Sequence, residues 1–263
     1  MKRIFLLLAL CLAAASQVNA QADSVTLITD RPTQSASAYT IAKGTWQIET
    51  GFTYTNFIGP TFPGLPEVRL ENTTFNTTHV RLGITDKLEL NFVQSLTSIK
   101  LFFNDVQQGE TLTELLPTSL GLRFQLAEEK GLIPQISVLA NVVGAPFVSG
   151  TNDYLLDLRF NMQHNLNDGW SLGYNLGATD IASNFTPLYT IVLGKSLDAK
   201  LAAFVEAFGT FNEGAANTHN LDYGFTYLLN NDMQLDVYAG NALNEFSTDF
   251  IFGLGFSARI PGK

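Results

Sequence analysis

The sequence predicts an all-β fold: an antiparallel transmembrane β-barrel of about twelve strands, with ten or fourteen as the alternative counts and both termini in the periplasm. Three observations predict it. Polar and apolar residues alternate with period two in one segment after another. The segments recur about every 18 residues, wider than the ~8–12 of a β-sandwich. The connections between them alternate between short turn-rich links and longer stretches richer in Gly, Pro and Asn, as periplasmic turns and extracellular loops do.

Residues 1–20 read as a signal peptide. Lys2 and Arg3 precede an apolar run from Ile4 to Ala15, and Val18-Asn19-Ala20 offers small residues for cleavage near Ala20. The single cysteine, Cys11, lies in that run, so the mature chain is expected to be free of thiols, disulfides and thiolate metal sites. After residue 20 no stretch approaches the ~18 continuous apolar residues of a spanning helix.

Residues 21–43 are polar and precede the first strand, with the pair Asp30-Arg31 set beside Pro32. Two readings fit: a plug in the periplasmic mouth with Arg31 answering luminal acids, or an exposed periplasmic tail. The barrel is expected over 44–260, with a C-terminal tail at 261–263. In 44–55, Trp46, Ile48, Phe52 and Tyr54 oppose Gln47, Glu49, Gly51 and Thr53. Strands are expected next at 72–84, 88–97, 116–126 and 132–143. The alternation is clear again in 153–164 (Tyr154, Leu156, Leu158, Phe160, Met162) and in 169–179 (Trp170, Leu172, Tyr174, Leu176). Weaker alternation gives 185–194 and 200–210. Leu221, Tyr223, Phe225 and Tyr227 mark 217–228, and 233–241 and 248–260 follow. The longer links at 56–71, 98–115, 144–152, 180–184, 211–216 and 242–247 fall on the extracellular side; 98–115 is read as a binding tip, an inward-folded constriction or a lengthened strand. Trp46, Trp170 and Tyr227 at periplasmic ends, and Tyr54, Tyr154 and Phe185 at extracellular ends, suit two interfacial girdles.

Thr29-Asp30-Arg31-Pro32-Thr33-Gln34-Ser35, followed by Lys43-Gly44-Thr45-Trp46-Gln47-Ile48-Glu49-Thr50-Gly51-Phe52-Thr53-Tyr54, resembles a bacterial family of phenol degradation MetA-like β-barrels. Its members open with a T-D-R-P stretch and a K-G-x-x-Q-x-E-x-G-F-x-Y strand. The resemblance implies an outer-membrane barrel that passes small molecules, and carries over no functional residue. The final strand, with Phe250, Phe252, Leu254 and Phe256 on one face, resembles the segment by which barrel assembly machinery recognises its clients, but Ile260-Pro261-Gly262-Lys263 follow where an aromatic usually ends the chain.

Inward parity collects Glu49, Arg81, Glu89, Arg123, Asp157, Arg159, Glu206, Asp222, Asp236, Asp249 and Arg259 as lumen-lining candidates. Their acids outnumber their arginines, which favours cations in a water-filled lumen. The bland alternative is that the arginines pair with the acids and fill the interior. Twelve strands predict a narrow or partly obstructed pore, between filled eight-stranded barrels and open ones of sixteen or more.

The chain carries 15 basic and 24 acidic residues. That balance disfavours nucleic acid, which is bound chiefly through Lys and Arg. His79, His164 and His219 have no H-x-S-N-G-like context, and no phosphate loop, H-E-x-x-H or ligand cluster appears, so neither catalysis, metal nor cofactor is expected. The sequence thus reads as a monomeric outer-membrane channel for passive passage of small solutes, some of them apolar or aromatic, with outer-membrane lipids and the assembly machinery as partners. A non-conducting structural or adhesive barrel, or a lipid hydrolase, is the alternative.

Overall fold

The computed structural model of the protein describes residues 27–144 and 154–262. The expected signal peptide, residues 21–26, most of the 144–152 connection and Lys263 lie outside them. Among the described residues, thirteen extended stretches form one antiparallel sheet: β1 (Trp46–Ile58), β2 (Val68–Thr85), β3 (Leu88–Phe103), β4 (Val106–Leu115), β5 (Thr118–Ala127), β6 (Gln135–Gly144), β7 (Leu155–Asn165), β8 (Trp170–Thr179), β9 (Thr186–Ser196), β10 (Leu201–Thr210), β11 (Thr218–Asn230), β12 (Met233–Ala242) and β13 (Phe250–Ile260). The sheet closes because β1 bonds both to β2 and to β13.

Twelve strands make the barrel, since β4 and β5 are consecutive parts of one. Both lie along β3, β5 from Leu88↔Phe124 to Val93↔Ser119 and β4 from Leu96↔Leu115 to Phe103↔Val106. The break falls at Leu116-Pro117, where proline has no N–H to give to the ladder. Gln94 bridges it: its amide donates to the Leu116 carbonyl (2.6 Å) and its side-chain oxygen accepts from the Thr118 hydroxyl (2.6 Å).

Of the three readings of 98–115, the lengthened strand is the one that forms: β3 runs on to Phe103 and turns through a hairpin into β4. Asn104 and Asp105 turn it with φ of 47° and 63°, the left-handed pair that suits a two-residue hairpin loop. A second irregularity interrupts the alternation of β2, which begins at Val68, before the expected 72–84. Between Gly51↔Thr77 and Thr53↔Thr74, β2 carries one residue more than β1, a bulge at Phe75. An extra residue reverses which face the following side chains take.

Exposure runs opposite to that of a water-soluble protein. Leu122 and Phe225 are 51% and 49% exposed, whereas Arg123 and Glu49 are fully buried. Ordinarily charged side chains seek the surface and Leu and Phe the interior, so the outer face is built for hydrocarbon. Trp46, Trp170 and Tyr227 stand at the periplasmic ends of their strands, with the Lys195 ammonium 5.0 Å over the Trp170 ring. Tyr154 lies over Gly144 near the extracellular end of β6. The periplasmic turns are tight. At one of them the Asp198 carboxylate accepts the N–H groups of Lys200 and Leu201 (2.7 and 2.8 Å), which holds its carboxyl below the usual range.

Candidate functional site

Inward-pointing residues alternate with the apolar outer ones along every strand, so polar side chains from around the ring converge on the barrel axis. There they meet the chain itself. Residues 27–45 carry no regular secondary structure, and a buried irregular backbone needs partners for its N–H and C=O groups. Wall side chains supply them.

Glu49 on β1 accepts the N–H groups of both Asp30 and Arg31 through one oxygen (2.9 Å each), and the Gln47 amide donates to the Ile28 carbonyl (2.7 Å). Across the barrel, Glu206 on β10 accepts from the N–H groups of Gln34 (2.6 Å) and Ser35 (2.8 Å) and from the Ser35 hydroxyl (2.5 Å). Asn175 on β8 pairs with Ala36 as a strand would, accepting its N–H (2.7 Å) and donating to its carbonyl (3.0 Å). Arg159 on β7 donates to the Gln34 carbonyl, and Glu89 on β3 accepts from the Ile41 N–H. The segment therefore reaches from β1 to the opposite wall and back, held at both sides.

Ion pairs lock the β1–β5 side. Arg81 makes a two-pronged bond to Glu89 (2.8 and 2.9 Å) and a third contact to Glu49 (3.1 Å), all three side chains being fully buried. Arg123 meets Asp30 at 2.5 Å and lies 3.6 Å from Glu89. The His79 ring bonds to Asn91 (2.7 Å) and sits 3.6 Å from Asp30. Arg31 pairs with Asp236 on β12 through two nitrogens, at 2.9 and 3.2 Å. Its guanidinium occupies a slot that only glycine leaves open. Gly51 and Gly255 face each other in register, and a Cβ on either would collide with it. Beside the slot, the Tyr238 ring covers Gly253 and its hydroxyl meets that of Thr53 at 2.9 Å.

Of the candidates read from sequence, Glu49, Arg81, Glu89, Arg123, Arg159, Glu206 and Asp236 contact this segment, and Asp30 and Arg31 lie within it. Asp157 shares the inward parity of Arg159 but accepts from the Asp180 N–H (3.0 Å) near the extracellular end. Asp222 is fully buried directly opposite Glu206. Two candidates stand at the rims of the barrel. Asp249 precedes β13 and accepts the Ile58 N–H at the extracellular rim, because parity assigns a face only inside a strand. Arg259 points inward but reaches Asp232 in the β11–β12 turn (2.8 Å), at the periplasmic rim.

Gln47, Asn175, Tyr39 and the two slot glycines were not among the candidates. On the strands the signal was inward parity with a small or neutral polar side chain; Tyr39 lies in the irregular segment, where parity assigns no face. The Tyr39 carbonyl accepts from Arg123 and its hydroxyl oxygen accepts from the Asn165 amide.

Among the described residues, Asp222 and Glu206 form the one directly opposed acid pair, and like charges facing each other across strands are destabilising. Asp222→Asn is expected to raise stability by roughly 1 kcal/mol, read as a higher urea midpoint in lipid; a lower midpoint would mean that the carboxylate is needed.

Between the segment and β7–β12, at the periplasmic end, lies a cavity of about 410 Å³ lined by Leu27, Tyr39, Gln163, Val192 and Phe204 among others. The imidazoles bring no nucleophile of the Ser-His kind: His79 bonds to Asn91, His219 to the Tyr189 hydroxyl (3.0 Å), and His164 lies 3.8 Å from Glu129. Among the described residues no cluster of three or more His, Cys, Asp or Glu is arranged to hold a metal.

Residues 29–260 match the model of the family described as "Putative MetA-pathway of phenol degradation". The fold is similar to that of the COG4313 outer membrane channel from Pseudomonas putida F1, at 12% identity and a TM-score of 0.63, covering 87% of this chain and all of that one. It is also similar to the transport unit of the autotransporter AIDA-I from Escherichia coli (10% identity, TM-score 0.55, 89% and 93% covered). The translocator domain of the autotransporter NalP from Neisseria meningitidis gives 12% identity and a TM-score of 0.53, with 84% and 90% covered. No curated protein matches the chain by sequence.

Proposed function

The chain belongs to the phenol degradation MetA family of outer-membrane barrels, and from that membership we propose that it is a channel for passive passage of small molecules whose lumen is plugged by its own residues 27–42. The observation that carries the plug is the binding of this segment to both sides of the barrel, by Glu49, Arg81 and Asp236 on one side and Glu206 and Asn175 on the other. Passage then requires the segment to shift or to leave the route beside the 410 Å³ cavity.

The family's description makes small aromatic compounds the solute class to test first. Charge sets a second filter. Most inward acids are engaged with arginines or with the backbone of the segment; Asp157 and Asp222 are not, and that surplus gives cations an advantage over anions. The signal peptide is cleaved near Ala20, the assembly machinery inserts the mature chain, and it works as a monomer among outer-membrane lipids, without cofactor or covalent chemistry.

Refolded mature protein in planar bilayers across a salt gradient tests this reading. Brief, discrete openings with a cation-selective reversal potential, moved toward zero by Asp157→Asn, are expected. Anion selectivity, or a reversal potential indifferent to Asp157, would overturn the charge assignment; silence from the folded protein and from its 27–42 deletion alike would overturn the channel.

A further inference from the structure

Above the bulge at Phe75, the wall turns its faces around. Cross-strand partners share a face, so the register gives the rows directly. Below the bulge the inward rows are mostly polar: Gln47, Arg81 and Asn91 stand side by side, as do Glu49 and His79 with Val93. Above it, Thr53, Thr74 and Thr97 form one inward row, and Thr55, Asn72, Ile99 and Leu112 the next. Then come Phe57, Leu70 and Leu101, with the uncharged Gln108 beside Leu101 on β4, and finally Val68, Phe103 and Val106. The face continuous with the lumen thus becomes apolar toward the outside. The opposite face becomes charged, carrying Arg69, Glu71 and Lys100, with the Arg69 guanidinium 4.1 Å over the Phe102 ring and paired to Glu71 and Asp105.

An apolar face toward an aqueous mouth is the reverse of what water favours, and this one is only partly covered. Val68, Leu70 and Phe103 are 36–37% exposed and Leu112 53%. A contiguous exposed apolar patch on a folded surface marks a place where something binds. Resting on the reading of the chain as a small-molecule channel, the geometry points to a binding ledge at the extracellular mouth, on β1–β4, that takes up small uncharged apolar solutes and delivers them to the lumen. Three features select that occupant. The ledge opens onto the lumen, so the next position for a bound molecule is downward. Its two outermost rows carry no charge among the described residues, which gives lipid headgroups, sugars with phosphate and charged peptides nothing to pair with. It spans three to four strands, roughly 10–15 Å at ~4.8 Å per strand, the width of one or two aromatic rings. A second copy is disfavoured as occupant because β4, the free edge, carries Glu110 and Glu114, and edge charges oppose strand pairing.

The test compares entry of radiolabelled toluene and of glycerol into Gram-negative cells expressing the full chain, over a range of toluene concentrations. Leu70→Asn with Leu101→Asn is expected to raise the half-saturating toluene concentration about tenfold, the scale of lost apolar contacts in a binding pocket, with the saturated rate and glycerol entry unchanged. Glu71→Gln with Lys100→Gln, on the opposite face, is expected to leave both solutes unaffected. Folding is read from heat-modifiable migration in the outer-membrane fraction, and Phe57→Gln with Ile99→Gln replaces the first pair if that pair fails to assemble. A wild-type toluene curve in a folded ledge variant overturns the ledge. Equal losses for toluene and glycerol overturn it too, since they report a damaged pore. No toluene entry above the empty vector for the wild-type chain overturns the reading of apolar permeation itself, and with it this site.

Discussion

Removing residues 27–42 is expected to convert brief openings into a steady conductance several-fold larger than that of the full mature chain. The segment bonds to Glu49, Glu206, Asn175 and Asp236 across the barrel, so its loss empties the centre of a twelve-stranded lumen of intermediate width. A point change should do part of the same. Gly51→Val places carbon where the Arg31 guanidinium lies, in register with Gly255, which displaces the guanidinium and breaks its bond to Asp236. The wall hydrogen bonds of β1 are backbone bonds and survive that change. Single-channel recording checks both variants, with the valine variant expected between wild type and deletion. Equal conductance in all three would place the current path away from residues 27–42.

Arg81→Met is expected to destabilise the folded barrel by about 3–5 kcal/mol, the cost of leaving buried carboxylates without their cation. Arg81 holds Glu89 in two places and Glu49 in a third, donates to the carbonyls of Ile28 and Tyr39, and is fully buried. Methionine keeps the bulk and removes the charge. By contrast Arg69, partly exposed at the extracellular end and paired with Glu71 and Asp105, should contribute within about 1 kcal/mol. Urea unfolding in lipid vesicles, followed by Trp46 and Trp170 fluorescence, gives both values. Similar midpoints for Arg81→Met and wild type would mean that the network adds no net stability.

Period-two alternation made the fold legible because lipid and lumen demand opposite chemistry on alternate residues, and this demand holds over a membrane-high strand. It faded where the demand faded. Above the Phe75 bulge the parity of β2 is reversed and polar and apolar residues no longer divide between the same faces, so the lengthened strand was only one of three readings of 98–115. Pro117 hid the continuity of β4 with β5.

The same parity put Glu49, Arg81, Glu206 and Asp236 on one candidate list, but it could not pair them. Arg31 and Asp236 are separated by 205 positions, and such a contact follows only from closure of the ring. The slot formed by Gly51 and Gly255 was equally hidden, since a glycine signals a close approach without naming what approaches. The T-D-R-P and Q-x-E-x-G stretches acquire one physical meaning in the structure. Gln47, Glu49 and Gly51 are the receptors, on one face of β1, for Ile28, Asp30 and Arg31.

The most direct test of an occupied lumen uses the absence of cysteine after residue 20. The hydroxyls of Ser35 and Thr190 lie 2.5 Å apart, one on the segment and one on β9, so Ser35→Cys with Thr190→Cys creates a single pair that oxidation can join. Current through this variant, recorded in one bilayer before and after adding reductant, is predicted to be absent while the pair is oxidised and to return on reduction. Unchanged openings in the fully oxidised protein would contradict the account, because solutes would then pass without any movement of residues 27–42.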